Sequence, residues 1–352
     1  MRVRWLHYLQ AMDLVLGTFN LNNLFDRFNF EADLASLEKK DRQVTTTLQL
    51  SAEDYENTEV SMVRIQRNPD GRLITEKPSE QRMSVAGRID TMVQNHGLGV
   101  LALQEVENIE SLRRFNRDFL ATPFPYEVLL EGNDPRFIDV ALLSHFPVKN
   151  LTSHRLEEHP EVQRPAFGRD LLEVDIFRRT GSRRLVKVFV NHLKSKFIPF
   201  DVRPEDRGAA DEANNRRRRQ QAETVVRIVD RQTRSNERFV VVGDMNDNPE
   251  SAPLASFRAE TGWVDALVNV VESQPPPSSR NDEDAPRNAR WTSRFSVSGG
   301  ADTFDLLDQI WVSASLASHV DHAQIERRPK WLRTSAGVGS DHDPAWIRLA
   351  GL

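Results

Sequence analysis

The sequence feature that most constrains this fold is a short apolar run that ends in polar side chains. Residues 239–242 are all apolar and three of them are β-branched, a pattern typical of a strand buried on both faces. Gly243 ends the run, Asp244 and Asn246 follow it, and Pro249 prevents further strand pairing. Polar groups at the end of a buried strand have a rigid support from which they can face a ligand. For this stretch alone, an ordinary turn rich in Asp and Asn is an equal alternative.

The same arrangement recurs at five other places, and the recurrence favours a functional site. Residues 13–20 predict a buried strand that leads into Asn20 and Asn22. Residues 306–312 predict a strand with Asp308 in its middle. A carboxylate at such a position usually has a partner.

Glu105 follows another apolar run, which predicts a buried strand over residues 100–103. A glutamate there is costly to bury unless it is paired or holds a cation. The alternative is an acidic residue at the N-terminus of a helix over residues 108–120.

Histidines mark the two remaining places. The strand predicted over residues 184–191 ends at His192, and Lys194 follows two residues later. A lone histidine would more often be structural, but the nearby lysine favours an anion-facing corner. Asp341 and His342 precede the last predicted strand of the chain.

Along the whole chain, the hydrophobic pattern predicts more strands than helices, with many turns of hairpin length, and so favours a mixed, largely antiparallel arrangement of strands.

Residues 27–80 are polar and weakly periodic, which indicates an insertion with a candidate strand over residues 60–65. The basic run at 216–219 predicts a solvated helix face more than a nucleic-acid-binding surface. The other predicted elements are strands over residues 126–130, 138–143, 170–177 and 345–349, helices over 81–96 and 213–231, a polar linker over 199–212 and a surface loop over 275–290.

Composition limits the class of protein. A chain of 352 residues with 39% hydrophobic residues can form one large domain or two ordinary ones. The absence of cysteine excludes disulfides and thiolate metal sites. A net charge of −5 is not that of a protein that binds nucleic acid by bulk positive charge.

No segment resembles a secretory signal or a membrane span, so the sequence as given predicts a cytoplasmic protein. A secreted protein trimmed of its signal would look the same. The oligomeric state is not determined by the sequence.

The side chains at the strand ends suit metal-assisted attack of water on a phosphoester. Oxygen ligands dominate, which favours one or two Mg²⁺ or Mn²⁺ ions over zinc, and two histidines allow acid–base chemistry near neutral pH. A nucleophile elbow, a P-loop and a dinucleotide fingerprint are all missing from the sequence. The set comprises Asn20, Asn22, Glu105, His192, Asp244, Asn246, Asp308, Asp341 and His342.

Six short motifs follow one another along the chain: FNLNNLFD at 19–26, LQEVEN at 103–108, IDVALL at 138–143, NHLKSK at 191–196, GDMND at 243–247 and SDHDP at 340–344. In this order they resemble the endonuclease/exonuclease/phosphatase superfamily, the deoxyribonuclease I-like metal-dependent phosphoesterases. The resemblance covers about residues 14–350 and implies a single domain over 1–352. It also implies a four-layer α/β sandwich, in which helices flank two packed, mixed, mostly antiparallel sheets.

The resemblance implies that Glu105 is the main metal ligand, assisted by Asn20, Asn22 and Asp341. Many relatives carry an acid where this chain has Asn22. A neutral amide at that position reduces the negative charge of the first metal site, which puts the number of ions and their affinity in doubt but not the reaction type.

The resemblance likewise implies catalytic roles. Asp244 would orient or deprotonate the attacking water. Asn246 would hold the phosphate, beside a second cation shared with His342 if two ions bind. His342 would contact the scissile phosphate, with its ring oriented by Asp308. Gln309 follows this aspartate where relatives often have histidine, which we interpret as a tolerated change next to the site.

Three further residues are implied on the substrate side. His192, with Lys194 nearby, would stabilise the phosphate or protonate the leaving oxygen. Arg169, which precedes the strand predicted over 170–177, is a weaker candidate for a phosphate contact.

The substrate is not fixed by a shared fold. Our leading hypothesis is a phosphodiesterase that acts on nucleic acid. The second is the same chemistry on a small-molecule or phospholipid ester, and the third is a non-catalytic binding module that kept the fold. Because every predicted ligand and catalytic residue is present, the third hypothesis is the least favoured.

Overall fold

The computed structural model describes residues 13–25, 45–47, 64–67, 73–74, 77, 79–134, 136, 138–162, 164–179, 183–198, 202–259, 262–268, 271–272, 290–295, 303–327 and 339–352. Its strands, in chain order, are β1 Leu14–Leu24, β2 Thr45–Thr47, β3 Arg64–Arg67, β4 Leu73–Ile74, β5 Leu98–Val106, β6 Tyr126–Leu129, β7 Asp139–Ser144, β8 Val148–Ser153, β9 Leu172–Phe177, β10 Arg184–His192, β11 Phe239–Asp244, β12 Val264–Asp265, β13 Val271–Glu272, β14 Ser293–Phe295, β15 Thr303–Asp305, β16 Asp308–Val312, β17 Val320–Ile325 and β18 Ala345–Leu349. Its helices are α1 Ser79–His96, α2 Ile109–Phe119, α3 Arg207–Gln232, α4 Ala255–Arg258 and α5 Ala314–Ala317. Within this part of the chain, no helix is both long and apolar enough to cross a membrane.

Two large sheets form the centre of the fold. One has seven strands in the order β13-β17-β18-β1-β5-β7-β6, and the other has six in the order β12-β16-β11-β10-β9-β8. Parallel pairing joins β1 to β5, β13 to β17 and β10 to β11. The other neighbouring strands in these two sheets are antiparallel. The predicted mixed, mostly antiparallel sheets are confirmed.

Alternation along the strands divides the apolar residues into three clusters. Leu16 of the first sheet and Val242 of the second belong to one cluster, which therefore lies between the sheets. On the outer face of the first sheet, Leu101 packs in a cluster with Phe115 of α2. On the outer face of the second sheet, Val241 packs in a cluster with residues of α3. Each fully buried side chain of this kind contributes roughly 1.5–3 kcal/mol. The order helix, sheet, sheet, helix confirms the predicted four-layer sandwich.

Helix α3 begins earlier than the sequence predicts. The segment 199–212 is not a linker throughout, because a 3₁₀ turn at Pro204–Asp206 leads directly into α3 at Arg207. Proline at the first position of the turn has the backbone angle that a helix needs, and the alanines that follow favour helix. This turn is largely exposed, so no apolar periodicity reveals it.

Arg218 contradicts the prediction that the basic run is a solvated face. Its side chain is fully buried, and its Nε donates to Oδ2 of Asp247 over 3.0 Å. Its Nη1 also donates to the carbonyl oxygen of Lys194 over 2.7 Å. Helical periodicity explains the burial, because Arg218 lies one turn before Ala222 on the face that packs on the sheet. Arg216 and Arg219 in the same run are exposed, as predicted.

The predicted insertion contains a small sheet of strands β2, β3 and β4. The candidate strand over residues 60–65 overlaps β3 at its last two residues, and its first four lie outside the described residues. Helix α1 begins at Ser79, two residues before the predicted start and inside the predicted insertion. The loop predicted over 275–290 lies outside the described residues except for Arg290.

Strand pairing brings the predicted site residues to one end of the sheets. In the second sheet, His192 pairs with Asp244 across β10 and β11, and Asp244 pairs with Asp308 across β11 and β16. In the first sheet, Asn20 pairs with Gln104, which precedes Glu105. Because both pairs β10–β11 and β1–β5 are parallel, their carboxyl ends lie at the same edge of each sheet.

Gly243 permits the close approach of β11 to β10, and we predict that Gly243→Ala is strongly destabilising. Its φ is +140°, and a Cβ atom there would lie 1.9 Å from the carbonyl oxygen of Asn191. We expect a loss of about 3 kcal/mol or more in the free energy of unfolding, measured by urea denaturation. Gly208→Ala in α3 is the matched control, since its Cβ would meet nothing within 4 Å and stability should stay equal or rise by up to about 1 kcal/mol. Equal stabilities of the two variants would contradict this account.

His145 should make stability depend on pH. Its ring stacks on Phe124 at a centroid distance of 4.2 Å, and burial, followed by the charge of Arg179, lowers its pKa to about 4. Because the unfolded chain takes up the proton near pH 6.5 and the folded chain does not, stability is lost as pH falls from about 6.5 towards 4. Between pH 7 and pH 5 the wild type should lose about 2 kcal/mol more than His145→Phe, which keeps the stacking but cannot titrate. Urea denaturation at both pH values measures this, and parallel losses would disprove it.

Candidate active site

Asp308 and His342 form the best-defined pair of the site. Asp308 is fully buried, and its Oδ2 lies 2.6 Å from Nδ1 of His342. Asp308 is the first residue of β16, so the predicted position in the middle of a strand is wrong. The residues before it form no continuous strand, because Leu306 and Leu307 lie in the turn between β15 and β16. The hydroxyl of Thr292 accepts a hydrogen bond from the Asp308 backbone N–H over 2.9 Å.

The surroundings of His342 favour its protonated form. Burial alone would lower its pKa, but the adjacent Asp308 charge and hydrogen bond, with Asp341 and Asp244, raise the pKa well above its ordinary value. Its Nε2 lies 4.0 Å from carboxylate oxygens of both Asp244 and Asp341. The ring therefore lies between one buried and one exposed carboxylate.

Asp244 lies at the centre of the site. One carboxylate oxygen accepts from the backbone N–H of Asn246 over 2.8 Å, and the other accepts from Nδ2 of Asn20 over 2.9 Å. Burial raises its pKa to about 6, although the charge of His342 acts in the opposite direction. Asn246 Nδ2 donates to the carbonyl of Leu193, which ties this turn to the end of β10.

His192 lies on the other side of Asp244. Its Nε2 is 3.4 Å from Asp244 Oδ2 and 4.0 Å from Glu105 Oε1. Burial, followed by the charges of Arg169 and Arg136, holds its pKa well below the usual range. The pKa values of the two histidines are therefore shifted in opposite directions.

Glu105 is held by a turn at the end of β1. The backbone N–H of Asn23 donates to Glu105 Oε2 over 3.0 Å, and Asn20 Nδ2 lies 3.4 Å from Oε1. Asn20 Oδ1 accepts from the backbone N–H of Asn22, whose own Oδ1 accepts from Asn23 Nδ2. Asn22, Asn23 and Glu105 all have positive φ, at 46°, 62° and 62°. Non-glycine residues in this region are uncommon and cluster at functional sites, where the surrounding contacts hold them.

Cationic side chains cluster on the His192 side. Arg169 is buried, with Nε 3.0 Å from Asp134 Oδ2 and Nη1 donating to the carbonyl of Leu193. Arg136 Nε donates to the other carboxylate oxygen of Asp134 over 3.1 Å. Burial and the charges of these two arginines lower the pKa of Lys194 to about 8.

The structure brings most of the predicted residues together. Contacts of 4.0 Å or less link Asn20, Glu105, His192, Asp244, Asp308, Asp341 and His342. Asn22 and Asn246 join this group through the turns that carry them. Arg169 and Lys194 lie close enough to this group for their charges to lower the pKa of His192.

Three residues near the site were not predicted. Lys77 lies in the region assigned to the insertion, where no periodicity gives a signal. Arg136 and Asp134 fall in a turn-like stretch between two strands, so their sequence context indicates only a loop. Their proximity depends on tertiary contacts that no local pattern contains.

The donor groups present fit a hard divalent cation. Carboxylate and amide oxygens predominate, and Asp308 Oδ1 is buried without a hydrogen-bond partner among the described residues. One group of possible ligand atoms, on Asp244, Asp308 and His342, lies within 4.8 Å of one another.

Comparisons with known proteins identify the family of this chain. A model described as "Endonuclease/Exonuclease/phosphatase family" matches residues 17–342. A search of curated proteins finds no significant match.

Similar solved structures share the fold. An endonuclease/exonuclease/phosphatase from Bacteroides vulgatus is 14% identical, with a TM-score of 0.53 and coverage of 96% of this chain and 98% of the other. A family protein from Bacteroides thetaiotaomicron is 14% identical, with a TM-score of 0.51 and coverage of 97% and 100%. A structure titled "beta toxin 275-280" from Staphylococcus aureus is 13% identical, with a TM-score of 0.52 and coverage of 95% and 99%. Such low identities show the fold alone. Because the family model extends from β1 to His342, the chain belongs to the endonuclease/exonuclease/phosphatase family, whose members are metal-dependent phosphoesterases.

Proposed function

We propose that this protein is a divalent-metal-dependent phosphodiester hydrolase that acts on nucleic acid. The observation that carries the proposal is the row formed by Asp308, His342 and Asp244, which lies next to the separately anchored carboxylate of Glu105. This arrangement places an acid–base set beside a group of hard oxygen donors.

Glu105 would hold Mg²⁺ or Mn²⁺, with Asp341 and the turn that carries Asn20 and Asn22 completing the oxygen-rich side. When bound, the cation would neutralise charge on the non-bridging phosphate oxygens. The number of ions depends on whether the Asp244, Asp308 and His342 group also takes one.

Asp244 is proposed to orient the attacking water and accept its proton. Asn20 and the Asn246 backbone fix the two carboxylate oxygens, so the group needs little reorganisation. The water oxygen forms a new bond to phosphorus, and the bond from phosphorus to the leaving oxygen breaks. Asn246 would hold the phosphate beside this carboxylate.

His342 is proposed to donate from Nε2 to a non-bridging phosphate oxygen, while Asp308 holds Nδ1. Lys194 would stabilise the phosphate on the opposite side of Asp244 or protonate the leaving oxygen, and His192, whose pKa is held low, would donate a hydrogen bond to that phosphate. Asp308 is then a positioning residue, because it acts through the imidazole.

The cationic group of Arg136, Arg169 and Lys194 supports a polyanionic substrate. These charges lie near His192, and Lys196, which pairs with Asp247 and Asp305, follows on the same loop. Phosphates of a nucleic acid on either side of the scissile one would be attracted to this side of the site.

Hydrolysis of a substrate panel tests the proposal. With Mn²⁺ present, we expect cleavage of bis-p-nitrophenyl phosphate and of plasmid DNA, single-stranded DNA or RNA, and no cleavage in EDTA. Glu105→Gln should reduce the rate at least about 100-fold, since it removes the main oxygen donor. Activity that survives EDTA would disprove metal dependence, while turnover restricted to sphingomyelin or phosphomonoesters would overturn the nucleic-acid assignment.

Asp308→Asn should separate catalysis from metal binding. Loss of the charge beside Nδ1 should lower kcat by about 10²- to 10⁴-fold, while the Mn²⁺ dissociation constant stays near the wild-type value. Steady-state kinetics and Mn²⁺ binding followed by electron paramagnetic resonance measure the two effects. Asp321→Asn, at an exposed carboxylate of β17, is the control and should change neither. A loss of bound Mn²⁺ in Asp308→Asn would instead assign this aspartate to the metal.

A further inference from the structure

Lys77 is fixed next to the proposed metal-binding turn. Its backbone N–H donates to the carbonyl of Phe25 over 2.9 Å, and its carbonyl accepts from Nε of Arg82 over 2.9 Å. Its side chain is buried, with 4% of the residue exposed, and Nζ donates to the carbonyl oxygen of Asn22 over 2.8 Å. Three separate contacts therefore determine where this ammonium group lies.

The turn that Lys77 contacts is the one that holds Glu105. Asn22 accepts the lysine hydrogen bond, and the next residue, Asn23, donates its backbone N–H to Glu105. The carboxylates of Glu105 and Asp341 act on the ammonium and raise its pKa, although burial has the larger effect and lowers the pKa to about 8. The ammonium group thus lies on the turn that holds Glu105, and it interacts electrostatically with two of the proposed metal ligands.

A fixed positive charge at this position has two opposite effects. It opposes the binding of a divalent cation to the neighbouring carboxylates, and it attracts an anionic phosphate to the same place. Screening is weak because the lysine is buried. Asn22 adds no negative charge that would offset the ammonium, so the charge of Lys77 remains effective in the site.

We propose that Lys77 is a charge-setting residue of the active site, which weakens binding of the divalent cation and strengthens binding of the substrate phosphate. This inference rests on the proposed function, because it assumes that Glu105 and Asp341 hold the cation. It assigns a role in the reaction to a residue from the end of the predicted insertion.

Removal of the charge should change the two affinities in opposite directions. In Lys77→Met, we expect the Mn²⁺ dissociation constant to fall at least about tenfold and KM for bis-p-nitrophenyl phosphate at saturating Mn²⁺ to rise at least about tenfold, since one nearby unit charge at an effective dielectric constant of about 20 has at least this effect. Lys77→Arg keeps the charge and should restore both values. Lys149→Met, at an exposed lysine of β8, is the matched control and should leave both unchanged.

A purely structural role predicts a different pattern. If Lys77 only ties the turn in place, Lys77→Met would weaken both Mn²⁺ and substrate binding, and this result would overturn the proposal, as would no change in either. Lys77→Gln, which removes the charge but keeps a donor, gives the same discrimination if the methionine variant does not fold. Failure of the wild type to bind Mn²⁺, or equal binding by Glu105→Gln, would refute the proposed function itself and is distinguished by the wild-type titration.

Discussion

The parallel pairing of β10 with β11, with β16 antiparallel beside them, is the constraint on which the rest of the site depends. This register aligns His192, Asp244 and Asp308 across three neighbouring strands. Side chains in such a row contact one another only if the strands that carry them lie close together. Gly243 allows β11 to approach β10 in this way. The positions of these three side chains are therefore determined by the pairing of the strands.

Electrostatic interactions and burial then shift the pKa values of the two histidines of the site differently. His342 and His192 both lie within about 4 Å of Asp244, but His342 has a second carboxylate, Asp308, 2.6 Å from its other ring nitrogen. The two carboxylates, with Asp341, raise the pKa of His342, whereas burial, followed by the charges of Arg169 and Arg136, lowers the pKa of His192. The surroundings, and not the residue type, therefore distinguish the two imidazoles.

The sequence predicts the fold, and it marks the strand ends whose side chains the structure brings together, because both depend on local patterns. Apolar runs of alternating orientation mark the strands, and polar residues at their ends mark Asn20, Glu105, His192 and Asp244. Partners distant in the chain are not predictable in this way. Arg218 can be buried because its guanidinium group donates to Asp247. The arginine-rich run itself does not indicate which of its members has such a partner. The strand that carries Asp308 begins two residues later than predicted, because Leu306 and Leu307 are apolar but lie outside the strand.

The contact between Ser340 and the first strand has a consequence for folding. Its hydroxyl donates to the carbonyl of Asn20 over 2.6 Å and accepts from the backbone N–H of His342, across a separation of 320 residues. A partly folded chain in which this segment has not yet docked has neither the His342 imidazole in place nor the bridge to β1. The site can therefore form only after two segments that are far apart in the sequence have come together, which makes its assembly a long-range step of folding.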